Sequence, residues 1–267
     1  MKEHRIKKYR MNTPVEISSL ADYINQIDTI TDPEKSYLYR GQENETWRIT
    51  SSAYRRLVSS SEDLGREDDL LPYPLRDLYQ NYLLEIIDEI KLRYPSTYRD
   101  LSALECMAHL QHNRVATGLI DFTFAPLVAL WFACTSENIN GKVIVLENNS
   151  EKIEEITTIE QLQQDLAVFF PIDQEDWYLW SPTLDSQIVE TQRLIMQQSV
   201  FLFGLPEIDT EMITQEITIR SGDKADIKTA LEKMGISEKT LFSDLLGFFE
   251  RNNATQPYNL SVDALDS

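Results

Sequence analysis

Ser36-Tyr37-Leu38-Tyr39-Arg40-Gly41-Gln42 is the stretch on which the reading of the fold turns. Its first five residues read as a short strand of alternating type, broken by Gly41. Strands of the same kind recur further along. Gly141 to Leu146 is the clearest, Leu119 to Thr123 is a short buried-type strand or turn, Ser199 to Phe203 is a strand, and Ile213 to Ile219 alternates as an exposed one. Between them the apolar period changes to that of helices. Residues 17–28 read as a short amphipathic helix capped by Ser18 or Ser19, Pro74 opens a long helix, and Leu101, Leu104, Ala108 and Leu110 mark another, to about His112. Pro126 opens a very apolar helix, residues 188–198 look helical, and two helices close the chain at about 223–234 and 237–251. Strands and helices interleave without a strict βαβ repeat, so the fold class is α+β. We expect a single compact domain with a small mixed or antiparallel sheet flanked by several helices.

Weaker signals fill the remainder. Trp47 to Tyr54 reads as extended, 58–70 as a polar surface loop, 150–168 as an acidic helical segment, and 177–185 as aromatic and turn-rich. Residues 1–35 are set apart as an N-terminal arm and helix, 36–251 as the main domain, and 252–267 as a polar, disordered tail.

Charge narrows the function classes. The chain has 267 residues and a formal net charge of −19. Phosphate backbones and anionic lipid repel such a chain, so general DNA binding is disfavoured and no membrane partner is expected. The basic stretch at residues 2–10 has no apolar core behind it and is read as an arm rather than a targeting peptide. A cytoplasmic protein is expected, with Cys106 and Cys134 as buried thiols, each set in an apolar helical stretch. Three His and no Cys/His cluster argue against a metal site. Neither a dinucleotide fingerprint nor a Walker loop occurs.

Four segments, in order, carry a resemblance. The first is Tyr37-Leu38-Tyr39-Arg40-Gly41-Gln42, followed by Trp47, Ser51, Ser52 and Arg55. The second runs from Met107-Ala108-His109-Leu110-Gln111-His112 through Thr117 and Leu119-Ile120-Asp121-Phe122-Thr123 to Pro126 and Ala133. The third is Arg193, Gln197-Gln198 and Phe201, and the fourth is Met234 to Phe242. Together they resemble the FRG domain family, named for its Phe/Tyr-Arg-Gly signature, over about residues 35–250. Three departures stand out. Asn113-Arg114 replaces the family's Tyr-Gly, Gly118 replaces an Arg after Thr117, and Ser199 replaces a Gly after the paired Gln.

The resemblance implies a relation to ADP-ribosyltransferases, and so NAD as substrate and no metal. It further implies a bacterial toxin or phage-defence effector that modifies a protein or RNA target, with a neutralising partner protein. The alternative is a non-catalytic nucleotide-sensing or protein-interaction module. In the enzyme reading Arg40 anchors the NAD pyrophosphate through its fork of donors, Gly41 lets the backbone approach, and Gln42 joins them. Gln198 holds the nicotinamide ribose, with Asp121 as the third catalytic candidate because a Gln supplies no charge. Glu190 is a second source of that charge. Thr117 shapes the pocket wall, Gln111 and His112 orient it, and Phe132 lines a nicotinamide pocket.

Each residue also has a purely structural reading. Arg40 is a bridge to Asp121 or Glu105, His112 is a hydrogen-bonded structural histidine, and Asp121 caps the helix near Pro126. Of Gln197 and Gln198, one faces solvent and one the cleft.

Overall fold

The computed structural model describes residues 14–62, 73–148, 153–170, 176–182 and 191–252. The basic arm, Glu190 and the tail lie outside them. In chain order the elements are β1 (Val15–Ile17), α1 (Leu20–Ile30), β2 (Tyr37–Gln42), α2 (Ser52–Glu62), α3 (Tyr73–Arg93), α4 (Pro95–Tyr98) and α5 (Ala103–His112). There follow β3 (Ile120–Thr123), α6 (Pro126–Ala133), β4 (Gly141–Glu147), β5 (Ile153–Ile156), α7 (Ile159–Leu162), α8 (Leu166–Phe169) and β6 (Trp177–Trp180). The chain continues with α9 (Thr191–Met196), β7 (Ser199–Phe203), β8 (Ile213–Ile219), α10 (Lys224–Lys233), α11 (Glu238–Leu241) and α12 (Leu245–Arg251).

The class is α+β, but the sheet is larger than expected. Eight strands run in the order β1-β8-β4-β2-β3-β7-β6-β5. The interior pairs are antiparallel, and only the edge pairs β1·β8 and β5·β6 are parallel. The additional strands are short. β1 has three residues, and β5 (Ile-Glu-Glu-Ile) buries only Ile156, so its sequence carries too little period to separate it from the acidic helix expected there. Within 150–168 the described chain is β5 followed by two single-turn helices, capped by Thr158 and Asp165. The aromatic run at 177–185 begins as β6, buried at all four positions and therefore without alternation. Helix α2 starts at Ser52, where extended chain was expected, because Ser51 Oγ accepts the Tyr54 N–H at 3.2 Å, and it carries residues 58–62 of the expected loop. Strand β8 is not exposed. It lies between β1 and β4, with Ile217 and Ile219 fully buried.

Residues 15–30 join the sheet directly. β1 pairs with β8, and the Tyr23 hydroxyl on α1 donates to the Pro126 carbonyl at 2.9 Å, holding the first turn of α6. One sheet face is covered in two halves. α1, α6 and α10 pack over β1, β8, β4 and β2 around Tyr39, Val143, Val145, Ile217 and Leu231. α3, α5 and α8 pack over β6 and β7 around Leu83, Met107, Phe169, Phe201 and Phe203. The other face buries Leu38, Phe122, Ile144 and Leu202 under Ile49 and Ile208. Between the two covered halves a cleft opens beside α6, over parts of β2, β3 and β7.

β2 does not break at Gly41. It continues to Gln42, paired along its whole length with β4. The glycine is there for packing. A Cβ on it would lie 1.9 Å from the Ala129 carbonyl oxygen and 2.7 Å from the Ala133 nitrogen, so α6 can rest on β2 only where the strand has no side chain.

Candidate functional site

β2 and β3 are neighbours, yet their ladder is a single pair, Tyr39 opposite Thr123. Past that pair the strands part. The Arg40 guanidinium fills the split, where Nη1 donates to the Asp121 carbonyl oxygen at 2.6 Å and stands 3.9 Å from Oδ2 of the same residue. A side chain thus satisfies a strand carbonyl that the ladder has left.

Above the split lies a cleft of about 400 Å³. Its floor is Tyr39, Gly41, Asp121, Thr123, Ser199 and Phe201, which share one sheet face through the registers Tyr39↔Thr123↔Ser199 and Asp121↔Phe201. Its walls come from three helices. α5 offers Ala108, Gln111 and His112, at i, i+3 and i+4 on one face; α9 offers Arg193, with Gln197 four residues on, just past its end; α6 offers Phe132. Phe242 and Glu250 close it from the C-terminal segment. The Phe132 and Phe242 rings meet edge to face at 6.0 Å, and the Arg193 guanidinium sits 4.7 Å above Phe242.

Two polar networks hold this lining. In the first, Thr117 is fully buried and its hydroxyl donates to Gln111 Oε1, while Gln111 Nε2 donates to Asp121 Oδ1 at 2.7 Å. Asp121 is thus oriented from Thr117 through Gln111, although its side chain is 61% exposed to the cleft. In the second, Asp244, at 5% exposure, stands 2.8 Å from Arg193 Nε and 3.4 Å from His112 Nε2, and accepts the Gly247 N–H at 2.8 Å. Burial works to raise the Asp244 carboxyl, but the Gly247 N–H, the Arg193 guanidinium and His112 together hold it below the usual value. The arginine at the split behaves in the opposite sense. Burial lowers the Arg40 pKa, the nearby Arg55 lowers it further, and Asp121 offsets part of this.

The structure sorts the residues expected from sequence. Arg40, Gly41, Gln111, His112, Asp121 and Phe132 all line the cleft. Three do not. Thr117 lies behind Gln111 as its support. Gln42 faces the sheet side away from the cleft and donates to the Arg48 carbonyl at 3.3 Å. Gln198 occupies the tight turn between α9 and β7 with φ at +46°, exposed, while Gln197 takes the cleft side and donates to the Leu241 carbonyl at 3.1 Å. The turn reverses the expected assignment, since Ser199 must point into the cleft for β7 to match β3, and Gln198 then points away. Asp121 does not cap α6. That position is Ala125, whose N–H is bound by the Thr123 hydroxyl at 2.9 Å. Glu105 is engaged in the capping box of α5 with Ser102. Gly41 approaches α6 rather than standing clear for a ligand.

Sequence reasoning missed Phe242 and Glu250, which reach the cleft only because the C-terminal segment folds back over α5 and α6, and Asp244, which lies behind Arg193 and His112. Arg193 and Gln197 had a signal, their i, i+4 spacing, which places both on one helix face. The departures also have positions. Arg114, with φ at +64°, lines the cleft and pairs with Glu250. Gly118 is packed so that a Cβ would meet the Phe170 ring at 2.7 Å and Leu83 at 2.9 Å, which leaves no room for an arginine.

Residues 35–142 match the family model described as the FRG domain, so the chain carries an FRG domain. No curated protein and no solved structure matches it. The matched segment holds Arg40, Gln111, Asp121 and Phe132. Arg193, Leu194, Gln197, Ser199, Phe201, Phe242 and Glu250 come from beyond it. Among the described residues no helix is long and apolar enough to cross a membrane, and no group of three or more His, Cys, Asp or Glu is placed to hold a metal ion.

Proposed function

We propose that this chain is an ADP-ribosyltransferase-like enzyme that takes NAD as substrate. The observation that carries the proposal is Asp121, a carboxylate exposed in the cleft, oriented by Gln111 and set against the Arg40 guanidinium. Breaking the bond between ribose C1′ and nicotinamide leaves its electron pair on the nicotinamide and positive character on C1′. A fixed carboxylate stabilises that charge without reorganising. Phe132 and Phe242 supply flat apolar surface for the nicotinamide ring, and Arg40 faces the pyrophosphate. An acceptor nucleophile on a protein or RNA then bonds to C1′ and gives up its proton. Action as a toxin or phage-defence effector, held in check by a partner protein, belongs to the same reading.

One observation favours the non-catalytic alternative, a nucleotide-sensing module. Gln198, the residue assigned to the ribose, is exposed outside the cleft. Nicotinamide release from NAD decides between the two, measured for wild type, Asp121→Asn and Arg40→Ala, with and without cell lysate. The enzyme reading expects release by wild type and a loss of at least about a hundredfold in Asp121→Asn, the scale of removing one preorganised electrostatic group. Absence of release in every condition refutes it. An NAD-dependent rise in melting temperature without release establishes the sensor.

A further inference from the structure

We infer that Arg55 and Arg114, together with Arg40, form a phosphate-binding subsite beside the cleft that takes the diphosphate of a nucleotide ligand. A second depression, of about 270 Å³, adjoins the cleft and is lined by these three arginines with Thr50, Gln111 and Asp121 among its walls. Four residues, Arg40, Gln111, Arg114 and Asp121, line both cavities, so the two are lobes of one site.

The charge balance here departs from that of the whole chain. Acidic residues outnumber basic ones 44 to 25 overall, yet this depression sets three guanidiniums against a single lining carboxylate. Arg55 Nη1 is anchored on the Thr50 carbonyl at 2.5 Å, which orients its remaining donors. The Arg40 Nε is buried without a hydrogen-bond partner. Arg114 pairs with Glu250 on the cleft side and keeps further donors in its fork. Burial and the neighbouring Arg55 both disfavour the Arg40 charge, and Asp121 only partly relieves this. An anion with several oxygens would satisfy all three groups, and phosphate matches the guanidinium fork two bonds at a time.

The two lobes differ in chemistry. Both share Arg40 and Arg114; the cleft lobe adds the rings of Tyr39, Phe132 and Phe242, whereas the depression adds Arg55 and has no aromatic side chain in its lining. The matching ligand has a flat ring at one end and phosphate beside it. The inference rests on reading the cleft as a nucleotide site and is independent of turnover. The same phosphate chemistry is offered by a small diphosphate and by an RNA backbone. A depression of this size holds one or two phosphates, and the −19 charge opposes a polyanion far more than a small anion, so the small diphosphate is the assignment.

Calorimetry on the full chain tests it with three probes, inorganic pyrophosphate, ADP-ribose and nicotinamide riboside, which lacks phosphate. The proteins are wild type, Arg55→Gln, Arg114→Gln and the double variant, with thermal melts to verify folding. Wild type should bind ADP-ribose with an affinity that falls as salt rises. The double variant should bind it at least about tenfold more weakly, the scale of one lost charged hydrogen bond. Nicotinamide riboside binding should be insensitive to both changes. If ADP-ribose binds the double variant as it binds wild type, or if wild-type binding is independent of salt, the subsite is wrong. The salt series needs no variant and decides the matter even if a variant fails to fold. A single-stranded RNA that outcompetes ADP-ribose at equal phosphate concentration also overturns the small-anion assignment. Arginine-dependent ADP-ribose binding without nicotinamide release leaves the subsite standing and removes the transferase. Release that is unchanged in the double variant does the reverse.

Discussion

Replacing Gly41 by Ala puts a methyl group where α6 already stands. The added Cβ would lie 1.9 Å from the Ala129 carbonyl oxygen, 2.7 Å from the Ala133 nitrogen and 2.9 Å from the Ala129 carbonyl carbon. All three are backbone atoms, so no side-chain rotation relieves the overlap. Bringing the closest contact out to about 3 Å requires α6 to retreat by roughly 1 Å along its contact with β2. That movement loosens Val128, Ala129 and Leu130 in the core and carries Phe132 away from Phe242. Overpacking of a well-filled core costs about 1–3 kcal/mol where side chains can give way, and a backbone clash belongs at or above the top of that range. A loss of about 3 kcal/mol lowers Tm by roughly 6–12 °C in a chain of this size. Gly222→Ala is the internal control. Its added Cβ meets nothing within 4 Å and its φ is not positive, so Tm should hold or rise slightly. Thermal denaturation of both variants beside wild type is the assay. A Gly41→Ala protein melting within 2 °C of the Gly222→Ala control, a shift of at most about 0.5–1 kcal/mol, would refute the packing account of the Arg-Gly signature.

Two further outcomes are expected. Asp244→Asn removes a buried charge that faces Arg193 and His112, and should destabilise by about 3–5 kcal/mol in urea denaturation. Because the folded state holds the Asp244 carboxyl below its ordinary 3.8, its contribution is fully present above that value and is lost as pH falls through the lowered one. The gap between wild type and variant should therefore be constant at neutral pH and shrink below about pH 4; a gap that persists unchanged to pH 2 contradicts the assignment. Cys106 and Cys134 are fully buried, and burial pushes their thiols up to about 11 and about 12. A thiol-specific disulfide reagent at pH 8 should leave both untouched in the native protein and modify both in denaturant, and rapid native modification of either would show that its helix opens.

The FRG signature could be read from sequence because its constraints are local. Arg40-Gly41 sits on a strand of β-forming residues, and Gln111-His112 ends a helix whose period is plain. The expectation that these segments meet rests on resemblance, and the strand registers are what bring Asp121 and Phe201 level on one face. Gln198 was misplaced because a single left-handed residue decides which of two adjacent glutamines turns inward, and nothing in Gln197-Gln198-Ser199 marks which one it is. β5 and β6 were hidden for a different reason. A strand buried on both faces, or one only four residues long, has no alternation to detect.

By itself the sequence determined the α+β class, the strand-and-helix order around the Arg-Gly motif, the burial of both thiols and the family of residues 35–142. Tertiary structure decided that the strands join in one eight-stranded sheet, that β2 and β3 part after one pair, and that Arg193, Phe242 and Glu250 complete the cleft. The physical reason is range. Helix period, caps and strand alternation are set by residues a few positions apart. The cleft is made of groups more than a hundred residues apart, whose meeting depends on strand register and on the packing of α6 against a glycine.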